Sequence, residues 1–234
     1  MADSDGLEPS REALGRKILA TTGQANLPLT QQQADGLAQY LLLLNRWNRV
    51  HSLTAIEDPE EQIFKHLLDS LVAADVLLKI PNLPPATSIA DVGSGMGAPG
   101  IVWAVVMPQS HFALIERQQK KSAFLRHVIG QLGLADRVAV VAQDVRDLAG
   151  KKAYDLITSR AFAAFEDFLS LTLGISKPGT CWAAMLGRQK NLVGEQTLLK
   201  MDRNKAEITV EPPISLVVPG LVGDRHLLIA RRQV

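Results

Sequence analysis

The spacing of apolar residues divides the chain into a helical first third and an alternating remainder. In the first part they recur with helical period: Leu14, Ile18 and Leu19, then Leu37, Tyr40, Leu41, Leu44 and Trp47, then Ile63, Phe64, Leu67, Leu68, Leu71 and Val72. Ser10 is placed to cap the first helix, expected to end before Gly23, and Thr30 to cap the second. The third opens at Asp58-Pro59-Glu60-Glu61, with an acidic cap, proline in the first turn and negative charge on the positive end of the helix dipole, and runs to about Lys79. Residues 81–87, PNLPPAT, break the pattern. They mark the expected boundary between a helical cap over 1–85 and a sheet domain over 86–234.

Beyond that boundary short apolar runs alternate with helical ones. Strands are predicted to end at Val92, over 110–115, 138–142, 154–158 and 180–186. Helices are predicted after Gly100, through Phe124 to Leu132 with Gly133 closing, and over 162–173. The first four strands each deliver a polar group at the carboxyl edge: Asp91, Glu116, Asp144, and Ser159-Arg160. Ligands of open parallel sheets bind at that edge. The chain end changes character, with short strands at 207–210, 214–218 and 226–230 and no helices between them. The expected fold is α/β: a mostly parallel sheet with a C-terminal antiparallel hairpin, preceded by an N-terminal helical extension.

The stretch SIADVGSGMGAPG, residues 88–100, joins the first strand to the next helix. Alternating glycines let a backbone take positive φ and approach a ligand without interference from Cβ. Gly95-x-Gly97-x-x-Gly100 formally matches the dinucleotide fingerprint, but Gly93-Ser94 separate it from the strand it should follow directly. One frame earlier, Asp91-x-Gly93-x-Gly95-x-Gly97 resembles the acidic-glycine motif of class I S-adenosylmethionine (SAM) methyltransferases of Rossmann-like fold. Glu116 at the end of the second strand suits ribose hydroxyls and fits either nucleoside ligand. A terminal antiparallel hairpin favours the SAM fold over most dinucleotide folds.

Composition narrows the classes. The 234 residues are 47% hydrophobic and carry a net charge of +1, so a nucleic-acid footprint must be a local patch. The single cysteine, Cys181, excludes an internal disulfide framework and fits a reducing compartment. No apolar run reaches the roughly 20 residues of a membrane span, and the start lacks a signal-peptide layout. A soluble cytoplasmic protein is expected.

Several segments together resemble one family closely: RWNRVHSLTAIEDPEE at 46–61, KHLLDSL at 65–71, ADVGSGMGAPGI at 90–101, SAFLR at 122–126, SRAFA at 159–163 and GDRHLLIARR at 223–232. The chain is similar over residues 30–232 to the bacterial small-subunit ribosomal RNA methyltransferase G family (RsmG, also called GidB). The resemblance implies methyl transfer from SAM to N7 of a guanine in 16S ribosomal RNA or the small ribosomal subunit. It implies cofactor contacts at Gly93, Ala98, Glu116, Val145, Arg146 and Arg160, to which the motif reading adds Asp91, Gly95, Gly97 and Asp144. The family commonly has a bulkier residue at Ala98, an acid at Arg146, Asp at Glu116 and Arg at Lys65. Its Lys-Gly near the fifth strand is here Gly187-Arg188.

Guanine N7 has an in-plane lone pair and no proton, so attack on a methyl group needs orientation rather than a base. No catalytic acid or base, no metal and a monomer are therefore expected. His66 and Asp69, three apart on one helix, read as structural or RNA-positioning. With RNA as partner, Arg46, Arg49, Lys65, His66, Lys120, Lys121, Arg126 and Arg188 are the candidates to line the mouth of the site. Two other classes remain: an NAD-linked oxidoreductase, disfavoured by the Asp91 frame and the absence of a Tyr-x-x-x-Lys pair, and a ribosome-assembly factor with a vestigial cofactor pocket.

Overall fold

In the computed structural model, which describes residues 9–81, 83, 87–160, 164–187, 195–201 and 206–233, the pleat of each central strand sends successive apolar side chains to opposite faces of one sheet. Ile89, Phe112, Leu114, Cys181, Ala183, Leu227 and Ile229 enter one core; Ala90, Ala113, Ile115, Trp182, Ala184, Leu228 and Ala230 enter the other. Both faces are therefore covered, as a parallel sheet requires.

The strands are β1 (Ser88–Val92), β2 (His111–Ile115), β3 (Val138–Val141), β4 (Tyr154–Arg160), β5 (Ser176–Leu186), β6 (Thr197–Met201), β7 (Ala206–Val210), β8 (Ile214–Ser215) and β9 (His226–Arg232). Their order is β3-β2-β1-β4-β5-β9-β7-β6, with β8 pairing β9. β1 to β5 are parallel; β9 runs antiparallel to β5, β7 and β8, and β6 pairs antiparallel with β7. Strand order reverses between β1 and β4, which makes their carboxyl ends the switch point where ligands bind.

Ser10 caps α1 (Arg11–Gln24), which continues past Gly23, and Thr30 with Gln33 forms a capping box on α2 (Gln31–His51). Asp58 caps α3 (Pro59–Gln62), and the same helix passes through a π-helical segment (Ile63–Leu68) into α4 (Asp69–Leu78). α5 (Gly100–Val106) and α6 (Gln119–Gln131) follow β1 and β2. These helices share the first core, in which Leu37, Leu41 and Leu67 lie with Ile101, Trp103 and Phe124. α7 (Phe165–Thr172) covers the other face through Phe168 and Leu169. An indole donor fastens each layer: Trp103 Nε1 joins α5 to α4 through the Ser70 carbonyl at 2.8 Å, and Trp182 Nε1 joins β5 to α7 through Thr172 Oγ1 at 2.8 Å.

The C-terminal antiparallel part is larger than its apolar pattern suggests. β6 was not anticipated, because Thr197–Met201 buries no residue fully: its positions alternate only between half-buried and exposed, with Leu198 on the exposed side. The run expected over 214–218 is only Ile214–Ser215. The expected start of the α7 helix at Phe162 lies outside the described residues.

Packing beneath the glycine stretch is tight. A Cβ on Gly100 would stand 2.5 Å from both Asp91 Oδ2 and Leu114 Cδ2, whereas one on Gly130 in α6 would meet nothing within 4 Å. Gly100→Ala should therefore destabilise the protein by about 1–3 kcal/mol through overpacking. Gly130→Ala should stabilise it by up to about 1 kcal/mol through a smaller backbone entropy loss. Urea unfolding of the two variants checks the opposite signs.

Candidate functional site

The glycine loop is held from several sides. Gly93 and Ser94 donate their N–H groups to the Ile115 carbonyl, and Ser94 Oγ donates to the Asp91 carbonyl at 2.8 Å. Tyr40 of α2 donates its hydroxyl to the Met96 carbonyl at 3.0 Å. Asp91 itself is 1% exposed, and its Oδ2 accepts the Gly100 N–H at 3.1 Å. Burial pushes its carboxyl up to about 7, opposed by the Gly100 N–H and the Arg160 charge. Asp91 therefore shapes the loop from below and does not itself line the cleft beside the loop. Gly97 is packed closely too, since a Cβ there would run into Ile101 and Leu125. Ala98 is also buried.

Gly93 and Gly95 differ from these. Both take positive φ, +72° and +57°; a Cβ on Gly93 would meet nothing within 4 Å, and one on Gly95 only the Gly93 carbonyl oxygen at 3.7 Å. Gly93 opens onto a cleft of about 450 Å³ lined also by Glu116, Arg117, Lys121, Asp144, Val145 and Arg146. Glu116 is buried at its rim, where Oε2 accepts the Gly95 N–H at 2.9 Å and Oε1 the Gln118 N–H at 2.8 Å. At the far side Arg146 grips Asp144 through two bonds, Nε to Oδ1 and Nη2 to Oδ2, both 2.8 Å. The Arg146 side chain and backbone N–H hold the Asp144 carboxyl well below the usual range. Arg117 and Gln118 were missed in the sequence, where they stand as polar residues after a strand with no motif to mark them.

A second cleft, about 640 Å³, opens on the other side of the switch point among Asp69, Arg160, Met185, Leu186, Arg225 and His226. Arg160, expected beside the cofactor, lines this cleft. Its seat comes from the π-helical segment. There the Asp69 N–H bonds to the Phe64 carbonyl, so the Lys65 carbonyl loses its usual partner four residues on and instead accepts Arg160 Nη1 at 3.3 Å. Asp69 stands between two guanidiniums, 3.9 Å from Arg160 and 3.1 Å from Arg225. Arg225 was invisible as a site residue because its partner lies on a helix distant in sequence.

The expected RNA contacts separate. Arg46 and Arg49 are exposed at the end of α2, while Lys120 and Arg126 are exposed and Lys121 half-buried on α6. The two helices meet where Trp47 packs on Phe124 and His127, with ring centroids 5.7 Å apart in each pair. Lys65 pairs with Glu61 on its own helix. His66 is 4% exposed, with its Nε2 paired to Thr54 Oγ1 at 3.0 Å, which sets it beneath the surface that carries the exposed cations. Arg188 lies outside the described residues. Among the described residues, no group of three or more His, Cys, Asp or Glu is arranged to hold a metal, and no helix is long and apolar enough to cross a membrane.

This sheet order, with a glycine loop after β1 and an acid after β2, is the class I SAM-dependent methyltransferase fold. The structure of the glycopeptide N-methyltransferase MtfA, complexed with S-adenosylhomocysteine, superposes with a TM-score of 0.53 at 11% identity, over 72% of this chain and 91% of that one. The family model GidB, rRNA small subunit methyltransferase G, matches residues 33–227, and the chain belongs to that family. Proteins named ribosomal RNA small subunit methyltransferase G are 38% identical in Leptothrix cholodnii, over 96% of this chain and 97% of that one. One in Neisseria meningitidis serogroup C is 39% identical, over 93% and 98%.

Burial pushes the His66 imidazole down to about 4, and the nearby Arg160 charge adds to the shift. The unfolded chain then binds a proton near pH 6.5 that the folded one refuses. His66 accordingly favours the fold fully above about pH 6.5, and that contribution is lost as pH falls through about 4. In His66→Gln, the fall in unfolding free energy between pH 6.5 and 4 should shrink by up to about 3 kcal/mol, as read by urea titrations at each pH.

Proposed function

We propose that this protein transfers a methyl group from SAM to N7 of a guanine in 16S ribosomal RNA, in the RNA or the assembled small subunit. The observation that carries the reading is family membership over residues 33–227, joined to a site whose first cleft fits the cofactor. Its volume lies within the usual range for small-molecule pockets. Gly93 and Gly95 leave room for a ligand against bare backbone, Glu116 presents a carboxylate at the rim, and Val145 offers an apolar contact. When bound, SAM supplies an electrophilic methyl group on a sulfonium.

The chain's own residues supply placement. The Gly93–Gly95 backbone and Glu116 hold the cofactor's polar end and ribose, and Val145 with the Asp144–Arg146 pair borders the adenine. Arg160 stands between the two clefts, one strand from the glycine loop, since Asp91 is in register with Thr158. Arg46, Arg49, Lys120, Lys121 and Arg126 form a cationic surface on α2 and α6 that would draw RNA phosphates. N7 carries no proton, so no side chain has to remove one. A ribosomal substrate is cytoplasmic, and on this reading so is the enzyme, acting as a monomer without a metal.

Incubation with labelled SAM and ribosomal RNA or small subunits lacking the modification tests the reading. One methyl per RNA at a guanine N7, located by chain scission after reduction and aniline treatment, is the expected product. Binding of the subunit without transfer would instead make the protein an assembly factor, and binding of NAD in place of SAM an oxidoreductase. Glu116→Ala should weaken SAM by roughly 1.5–3 kcal/mol, the usual loss for hydrogen bonds to a charged group. Glu116→Gln, which keeps an acceptor for the Gly95 N–H, should lose less. Calorimetry on both variants checks the order.

A further inference from the structure

The second cleft joins a carboxylate, two guanidiniums and an apolar wall. Asp69 Oδ1 faces Arg225 Nε at 3.1 Å, while Oδ2 stands 3.9 Å from Arg160 Nη1, beyond hydrogen-bond length. A carboxylate has about four acceptor positions, so the pairings leave Asp69 able to accept from another group in the cleft. Met185 and Leu186 line the same space. Such a site suits a flat neutral ring with two adjacent donors beside an acceptor, more than it suits a phosphate, which Asp69 would repel.

Guanine has that edge: N1–H and the N2 amino group are adjacent donors and O6 is the acceptor beside them. N7 lies on the other side of the ring system. We propose that Asp69 is the specificity-determining residue for the acceptor base, accepting from N1–H and the N2 amino group while the flanking guanidiniums face O6. Held by that edge, the base directs N7 away from Asp69, and Arg160 at the end of β4 marks the side on which the glycine loop begins. Adenine would set its N1 lone pair against the carboxylate and is rejected. The π-helical segment is part of the device. It puts Asp69 at the first turn after the irregularity and frees the Lys65 carbonyl to anchor Arg160.

This inference rests on guanine N7 methylation as proposed above, and the test separates the two. The wild-type protein is given small subunits reconstituted with 16S RNA in which the acceptor guanine, once mapped, is replaced by inosine, which lacks only the N2 amino group. Single-turnover rates at subsaturating RNA should favour guanine by roughly ten- to a hundredfold, the loss of one charge-assisted hydrogen bond. Asp69→Ala should bring that ratio close to one. Asp69→Glu keeps a charge for both arginines but displaces the carboxylate, and it too should lower the ratio, so the inference does not depend on the alanine variant folding. Equal wild-type rates on guanine and inosine would overturn the role of Asp69 while leaving N7 methylation standing. Equal slowing of both substrates, with the ratio kept in either variant, would overturn it as well and reduce Asp69 to a partner of Arg160 and Arg225. Absence of transfer to guanine itself would remove the proposed function and this inference together.

Discussion

The close approach of the backbone at Gly97 and Gly100 to the side chains beneath it is the constraint on which the site depends. With no room for a Cβ at either position, the loop lies flat over the strand ends, and Asp91 is sealed under it with its carboxylate on the Gly100 N–H. A buried carboxylate without that donor would be costly to ionise, and burial does push Asp91 up to about 7. Gly97 and Gly100 serve packing, whereas Gly93 lines the cleft and Gly95 is left with open space beside it. The motif thus divides in two, one pair of glycines packed against the core and one pair left unpacked.

The N-terminal helices are part of the site as well as of the core. Tyr40 reaches the Met96 carbonyl in the loop, Ser70 accepts the indole of Trp103 on α5, and the π-helical segment seats Arg160. A shift of the third helix by one residue would move Asp69 off both arginines and return the Lys65 carbonyl to its own helix. The irregularity therefore couples helix register to the geometry of the second cleft, a role consistent with the frequent occurrence of π-bulges at functional sites.

Charge in the first cleft is arranged with similar economy. Arg146, where the family resemblance leads one to expect an acid, forms a bidentate fork with Asp144. The fork engages both oxygens of Asp144, so Val145 is left as the apolar surface of the cleft on that side. Lys121 also lines the cleft, on the helix that carries Lys120 and Arg126 toward the expected RNA surface.

Local physics made much of this legible in sequence. The caps at Ser10, Thr30 and Asp58 need only neighbours within a turn, and the short continuous apolar runs of β1, β2, β5 and β9 mark strands buried on both faces. The acidic-glycine spacing and Glu116 at the end of β2 located the first cleft for the same reason, because strand, loop and helix follow one another along the chain. β6 escaped notice since this edge strand carries Leu198 on its exposed side next to the half-buried Leu199, which hides its alternation. The burial of His66 was not legible, because helical spacing gives the face a side chain shares, not whether Thr54 folds over that face to bury it. The second cleft was out of reach for a deeper reason. Asp69, Arg160 and Arg225 lie on a helix and two regions around the sheet, and only tertiary packing, with the one-residue offset of a π turn, brings their charges within 4 Å.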